Sequence, residues 1–174
     1  AALFKTSVAR KVAMALSAFF LVLFLVIHWA VNIMSVFSED VYNEMSHFMG
    51  TNPLIQFAIQ PVLMIAVLFH FIMGFVLEVQ NKRARGNEAY YRYNGAANAT
   101  WASRNMIISG VVILLFLALH LYDFWVHEMN YKYIEFLEPD PTRYYGELVE
   151  KFHDTWRVLL YVLAFVFLAL HLSH

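Results

Sequence analysis

The 174-residue chain has no cysteine, which excludes disulfides, thiolate-bound iron–sulfur clusters, a four-cysteine zinc site and haem attached covalently through a C-x-x-C-H motif. Any metal is left to histidine, methionine or oxygen. Charge is scarce too: 12 basic and 13 acidic residues make up 14% of the chain and give a formal net charge of −1. There is no basic field and no long block of Lys and Arg, so nucleic acid is not a partner this sequence is built for. With 61% hydrophobic residues, the composition also excludes a disordered tail or an ordinary soluble domain.

What is present is a set of four stretches from which charge is missing, at 12–38, 45–77, 105–122 and 158–174. A hydrocarbon core about 30 Å thick needs roughly 20 helical residues. The stretches therefore predict four transmembrane helices over about 11–37, 56–80, 103–126 and 156–174. The fold class is all-α, an integral membrane helical bundle forming one domain over 1–174. The first stretch is too long for the apolar core of a signal peptide, and Val36-Phe37-Ser38-Glu39 lacks a small-residue cleavage pattern, so it is expected to be retained. Pro61 falls in the first turns of the second helix or kinks it.

The loops differ in charge. Lys5, Arg10 and Lys11 precede the first span, and Lys82, Arg83, Arg85, Arg92 and Arg104 cluster between the second and third. The first connection carries Glu39, Asp40 and Glu44 without a base, and the segment from Asp123 to Arg157 has eight acids against four bases. The positive-inside rule places the N-terminus in the cytoplasm, with a short extra helix expected in each long loop. The expected location is the inner (cytoplasmic) membrane of a bacterium.

Each span carries one histidine: His28, His70, His120 and His171. An ionisable residue in hydrocarbon is expensive and faces a bundle interior, where it ligates something or serves a pathway. At 1.5 Å per residue, His28 and His120 both lie roughly 25 Å from the inner boundary, while His70 is about 18 Å from that boundary and His171 about 21 Å from the outer one. The four sort into an outer pair, His28 with His120, and an inner pair, His70 with His171. Two imidazoles facing each other at one level are what a six-coordinate haem b requires, and two levels make a ladder for electrons across the membrane. Zinc would need its ligands to converge on one point instead. For a single histidine the plainer reading is a neutral imidazole bonded across helices; one per helix at two depths favours ligation.

Small residues accompany the histidines. Ser17 and Ser109 each lie eleven residues before the histidine of their helix, three turns away on the same face, where they leave room beside the inner porphyrin or reach its propionate. Gly74, one turn from His70, and Gly110 permit close approach, although small residues also simply pack helix on helix. The text FLALHL occurs at 116–121 and again at 167–172.

The chain resembles the diheme cytochrome b membrane anchor of succinate:quinone oxidoreductases and fumarate reductases, the complex II group, and in particular the succinate dehydrogenase anchors of Bacteroidetes-type bacteria. The likeness runs over nearly the whole chain and is carried by SVARKVAMALS (7–17), HFMGTNP (47–53), FHFIMGFVLE (69–78), TWASRNMIISG (100–110), LHLYDFW (119–125) and DPTRYY (140–145). It implies a complex with a flavoprotein that interconverts succinate and fumarate and an iron–sulfur protein on the cytoplasmic side, with lipid and quinone (menaquinone or another) as further partners. A dimer of that complex is compatible with it. It implies two haems b with His70 and His171 on the inner and His28 and His120 on the outer, the pairing that depth alone gives. The family has five transmembrane helices, so a C-terminal helix is expected beyond the four. Some members that oxidise menaquinol carry glutamates at places occupied here by Met49 and Ala169, which points to succinate oxidation with quinone reduction.

A quinone site needs a polar group near a haem edge and access to water. Asn32, Glu44, His47, Tyr122 and Asp123 are candidates near the outer level. Ser17, Trp101, Ser103 and Arg104 are candidates for propionates or for a route from the iron–sulfur subunit. No dicarboxylate or flavin site is visible, so the chain's enzymology is expected to be a half-reaction at quinone. Competing readings are a quinol:fumarate reductase anchor, a cytochrome of a hydrogenase or formate dehydrogenase, and a haem-free helical transporter or scaffold whose histidines relay protons.

Overall fold

A computed structural model describes residues 6–86 and 105–173, with the side chain of Arg85 set aside, and 89% of these residues are helical with no strand among them. Helix α1, Ser7–Phe37, starts where Thr6 accepts a hydrogen bond from the Ala9 amide at 3.1 Å, and runs through uninterrupted apolar sequence. It stops at Ser38, whose extended backbone leaves the helix while its N–H still reaches the Met34 carbonyl. The Ser38 hydroxyl then accepts from the Val41 amide, so one residue ends α1 and caps α2, Glu39–Thr51. Glu39 and Asp40 in the first turn of α2 sit against the positive end of its dipole.

Asn52 repeats the device, its Oδ1 accepting from the Leu54 and Ile55 amides. Helix α3, residues 55–85, begins as a π-helical turn over Ile55–Ile59 and is α-helical over Gln60–Arg85. Pro61 stands just past the wide turn. It has no N–H to donate and its ring crowds the carbonyl four residues back, and a widened turn is how a helix accommodates both. Gly86 closes α3 at φ +67°, bonding to the Lys82 and Arg83 carbonyls in a left-handed conformation that suits glycine.

Helix α4, residues 106–134, is α-helical over Met106–His120, π-helical over Leu121–Val126, α-helical over His127–Met129 and π-helical again over Asn130–Ile134. The helix runs eight residues past 126, the expected end of the span. Asp123, where the uncharged stretch ends, lies within the helix with its carboxylate paired to Arg157. The helix gives way at Phe136, where φ is +50°. Helix α5, Arg143–Lys151, is a short helix in the connection between the third and fourth apolar helices, as α2 is in the connection between the first and second. Asp140 accepts from the Thr142 amide and hydroxyl just ahead of it, and those bonds hold the exposed Asp140 carboxyl below the usual carboxylate range. Helix α6, Thr155–Leu172, is capped by Asp154 on the Trp156 amide.

The chain divides into two compact units, Ala1–Leu77 with Asp140–Leu148, and Glu78–Pro139 with Val149–His174. In the first, α2 packs against α1, and Asn43 of α2 accepts from the Tyr145 amide at 2.8 Å, capping α5 from outside its own sequence. In the second, α4 packs along α6.

Four helices are long and apolar enough to cross a membrane: Ser7–Phe37, Ile55–Ala84, Met106–Ile134 and Thr155–Leu172. The chain is a multi-pass helical membrane protein. Its burial pattern agrees with lipid as the solvent: Phe19, Leu115 and Trp156 are largely exposed, whereas the buried set among the described residues is Tyr42, Tyr161 and Ala164 with the polar Asn43, Ser109 and Asp123.

Candidate functional site

All four intramembrane histidines are half-buried. The chemistry of three of them follows from where a neighbouring hydroxyl sends its single proton. Ser17 on α1 donates to the carbonyl of Met14, one turn back, at 2.7 Å. That bond fixes the hydroxyl hydrogen, so the 3.4 Å contact between Ser17 Oγ and His70 Nδ1 is made with the ring nitrogen as donor. The second unit repeats the arrangement. Ser109 on α4 donates to the Met106 carbonyl at 3.0 Å and accepts from Nδ1 of His171 on α6 at 2.9 Å. In both units the serine eleven residues before one histidine orients the histidine of the returning helix.

His120 is held by a different group with the same polarity. Tyr161 donates its hydroxyl to Asp123 Oδ2 at 2.9 Å. A carboxylate only accepts, so the 3.3 Å contact between the Tyr161 oxygen and His120 Nδ1 has the imidazole as donor. His70, His120 and His171 thus each have at Nδ1 a hydroxyl whose own proton is bonded elsewhere, an arrangement that suits the Nδ1–H tautomer, in which Nε2 carries the lone pair.

His28 and His120 each carry a stacked phenylalanine. Phe24 stacks on His28 at 5.3 Å and Phe116 on His120 at 5.7 Å, each one turn earlier on the same helix. Asn32 donates to the His28 backbone carbonyl at 2.7 Å.

The other expected site residues separate. Gly74 faces α1, where an added Cβ would meet the Met14 methyl at 3.5 Å, so its smallness serves ordinary helix packing there. Gly110 lies beside the His171 ring, 3.6 Å from Cε1 for an added Cβ. His47 meets the Tyr144 hydroxyl at 3.3 Å, while Glu44 is exposed. Tyr122 points outward, 66% exposed, and borders an apolar groove of about 360 Å³ with Trp125, Met129 and Lys151. Its sequence neighbour Asp123 is 1% exposed. The structure therefore does not bring Tyr122 and Asp123 to one place. Trp101, Ser103 and Arg104 lie outside the described residues.

Two residues that the sequence reading did not single out complete the second unit. Tyr161 bridges His120 and Asp123, and Arg157, one turn earlier on α6, pairs Nε with Asp123 Oδ2 at 2.9 Å. The available signal was an arginine and a tyrosine at i and i+4 on one helix, and an aspartate one turn beyond the histidine of another.

Among the described residues no three His, Asp or Glu side chains gather as a metal site would gather them. Two-ligand axial coordination does not require such a group. Comparison with protein-family models, with curated proteins and with solved structures finds no match to this chain.

Proposed function

We propose that the chain is the diheme cytochrome b anchor of a succinate:quinone oxidoreductase, passing electrons between an iron–sulfur subunit and membrane quinone. The single observation that supports this reading is the hydroxyl beside Nδ1 of His70, His120 and His171, from Ser17, Tyr161 and Ser109 respectively, the kind of neighbour that orients an imidazole whose Nε2 would ligate iron. With His28 on the remaining span, the chain offers one imidazole per crossing helix. These four side chains would hold two haems b, which supply one-electron exchange between ferric and ferrous iron when bound. Ser17 and Ser109, bonded to Nδ1 of His70 and His171, would favour one tautomer and one ring orientation. The absence of cysteine fits non-covalent attachment through histidine alone. The orientation with the N-terminus in the cytoplasm, where the flavoprotein and iron–sulfur partners would dock, rests on the loop charges.

The test is a dithionite-reduced minus oxidised spectrum of the detergent-purified protein, with haem per chain from the pyridine haemochrome. Two haems b per chain, partly reduced by succinate when the partner subunits are present, is the expected result. A second reading draws on the bonded series His120, Tyr161, Asp123, which is also what a proton relay in a haem-free transporter would contain. A protein without haem absorbance would put that reading in front.

A further inference from the structure

The residue that touches the most of this machinery without ligating anything is Tyr161. It is 4% exposed, and its ring is fixed edge-on by Phe116 at 4.7 Å and by Phe152 at 4.8 Å. Its hydroxyl is thereby held between two fixed groups, His120 Nδ1 on one side and Asp123 Oδ2 on the other. Asp123 concentrates its interactions on that one oxygen, which also takes Arg157 Nε, while Oδ1 is buried with no hydrogen-bond partner. A fully buried carboxylate is expensive unless it is paired and bonded. Here the pairing is arranged so that the anion points, through a phenol, at an imidazole N–H.

We infer that Tyr161 is a positioning residue that couples the Asp123 carboxylate to the His120 imidazole and so lowers the reduction potential of the haem His120 ligates. The inference rests on the haem reading of His120 given above. The physical reason is donor strength. An imidazole whose N–H is drawn toward an anion carries more electron density on its other nitrogen, and a stronger donor favours ferric over ferrous iron. Arg157 partly offsets the carboxylate, and its side chain is 25% exposed whereas that of Asp123 is fully covered, so the anion is the more buried of the two charges. At His171 the hydroxyl beside Nδ1 is that of Ser109, a neutral group bonded to a backbone carbonyl instead of to a carboxylate.

The experiment is a spectroelectrochemical redox titration of the full complex, wild type against Tyr161→Phe, with low-temperature EPR of the oxidised haems. The expected result is that both haems stay bound and one midpoint moves upward by roughly tenfold in the ferric-to-ferrous ratio, about 59 mV for one electron. The other midpoint stays in place, and the EPR signal of the displaced haem alone changes. Asp123→Asn keeps an acceptor for the tyrosine and removes the charge, so it moves the same midpoint upward even where Tyr161→Phe fails to assemble. Ser109→Ala serves as the control and disturbs only the other haem. Two unmoved midpoints in coloured Tyr161→Phe and Asp123→Asn proteins would overturn the inference while leaving the haem reading intact, and an equal drift of both midpoints would overturn it in favour of general loosening. A colourless wild type would instead remove the haem reading, and this inference with it.

Discussion

The two units treat one pair of their histidines alike and the other pair differently. His70 and His171 are each held by a serine on the neighbouring helix whose own proton is committed to a backbone carbonyl. His28 and His120 each carry a phenylalanine stacked one turn earlier. The resemblance ends at the polar neighbours. Counted back from the histidine of the return helix, Tyr161 and Arg157 of the second unit stand ten and fourteen residues before His171, and Gln60 and Gln56 hold those places before His70. The glutamines bond to each other, Gln56 Nε2 to Gln60 Oε1 at 3.3 Å, whereas the second unit has a buried anion, a cation and a phenol. The shared parts set a hydroxyl against an imidazole; the unshared part places a charged pair and a phenol beside His120.

The strongest way to break the comparison is to remove the four histidines. His70→Ala or His171→Ala is expected to delete the same haem, and His28→Ala or His120→Ala the other, each halving the haemochrome yield. Loss of both haems in every variant would show that the four histidines do not divide into pairs. Next in size is Asp123→Ala, which leaves Arg157 and Tyr161 without their shared acceptor. Breaking a buried ion pair of this kind costs about 3 kcal/mol, to be read as a lowered thermal midpoint of the detergent-solubilised protein.

The serines sharpen the likeness between units. Ser109 is buried and bonds His171 at 2.9 Å, whereas Ser17 is half-buried and its bond to His70 is 3.4 Å. Ser109→Ala should cost about 1–2 kcal/mol, and Ser17→Ala about half of that; equal losses would mean that bond length does not track strength here. A smaller effect is expected at the cap that α2 lends to α5, where Asn43→Ala removes about 1 kcal/mol, visible as faster hydrogen exchange at the Tyr145 amide. The smallest concerns Asp140. Folding lowers the pKa of its carboxyl, so its contribution to the turn is complete above the free-carboxylate value of about 3.9 and fades as pH falls through the lower folded value. Exchange at the Thr142 amide should quicken only in that acid range.

Much of this molecule is legible in its sequence because lipid punishes charge. The gaps between Lys, Arg, Asp and Glu mark all four crossing helices to within a few residues at most ends, and the histidines stand out inside them. The eleven-residue step from serine to histidine was also visible, but what the serines do was not. Periodicity gives the face of a helix and says nothing of which group on the next helix meets it. Asp123 misled for a related reason: its partner Arg157 is 34 residues away in sequence, so the carboxylate reads as a boundary until the pair is seen. The π-helical turns have no compositional signature at all, apart from Pro61 beside the one in α3.

Those turns in α4 carry a consequence for insertions and deletions. An α-helix places successive residues about 100° apart and a π-helical turn takes up one more residue than an α-helical one. The six residues Leu121–Val126 therefore accommodate an added residue without breaking the rod. Deleting a single residue within them would restore regular winding and leave His127–Ile134 facing much as before, with His120 and the helix before it untouched. The C-terminal end of α4 is in this sense adjustable in length independently of its histidine, and length variation in this chain should be tolerated there sooner than between Ser109 and His120, where the spacing of two site residues depends on every turn.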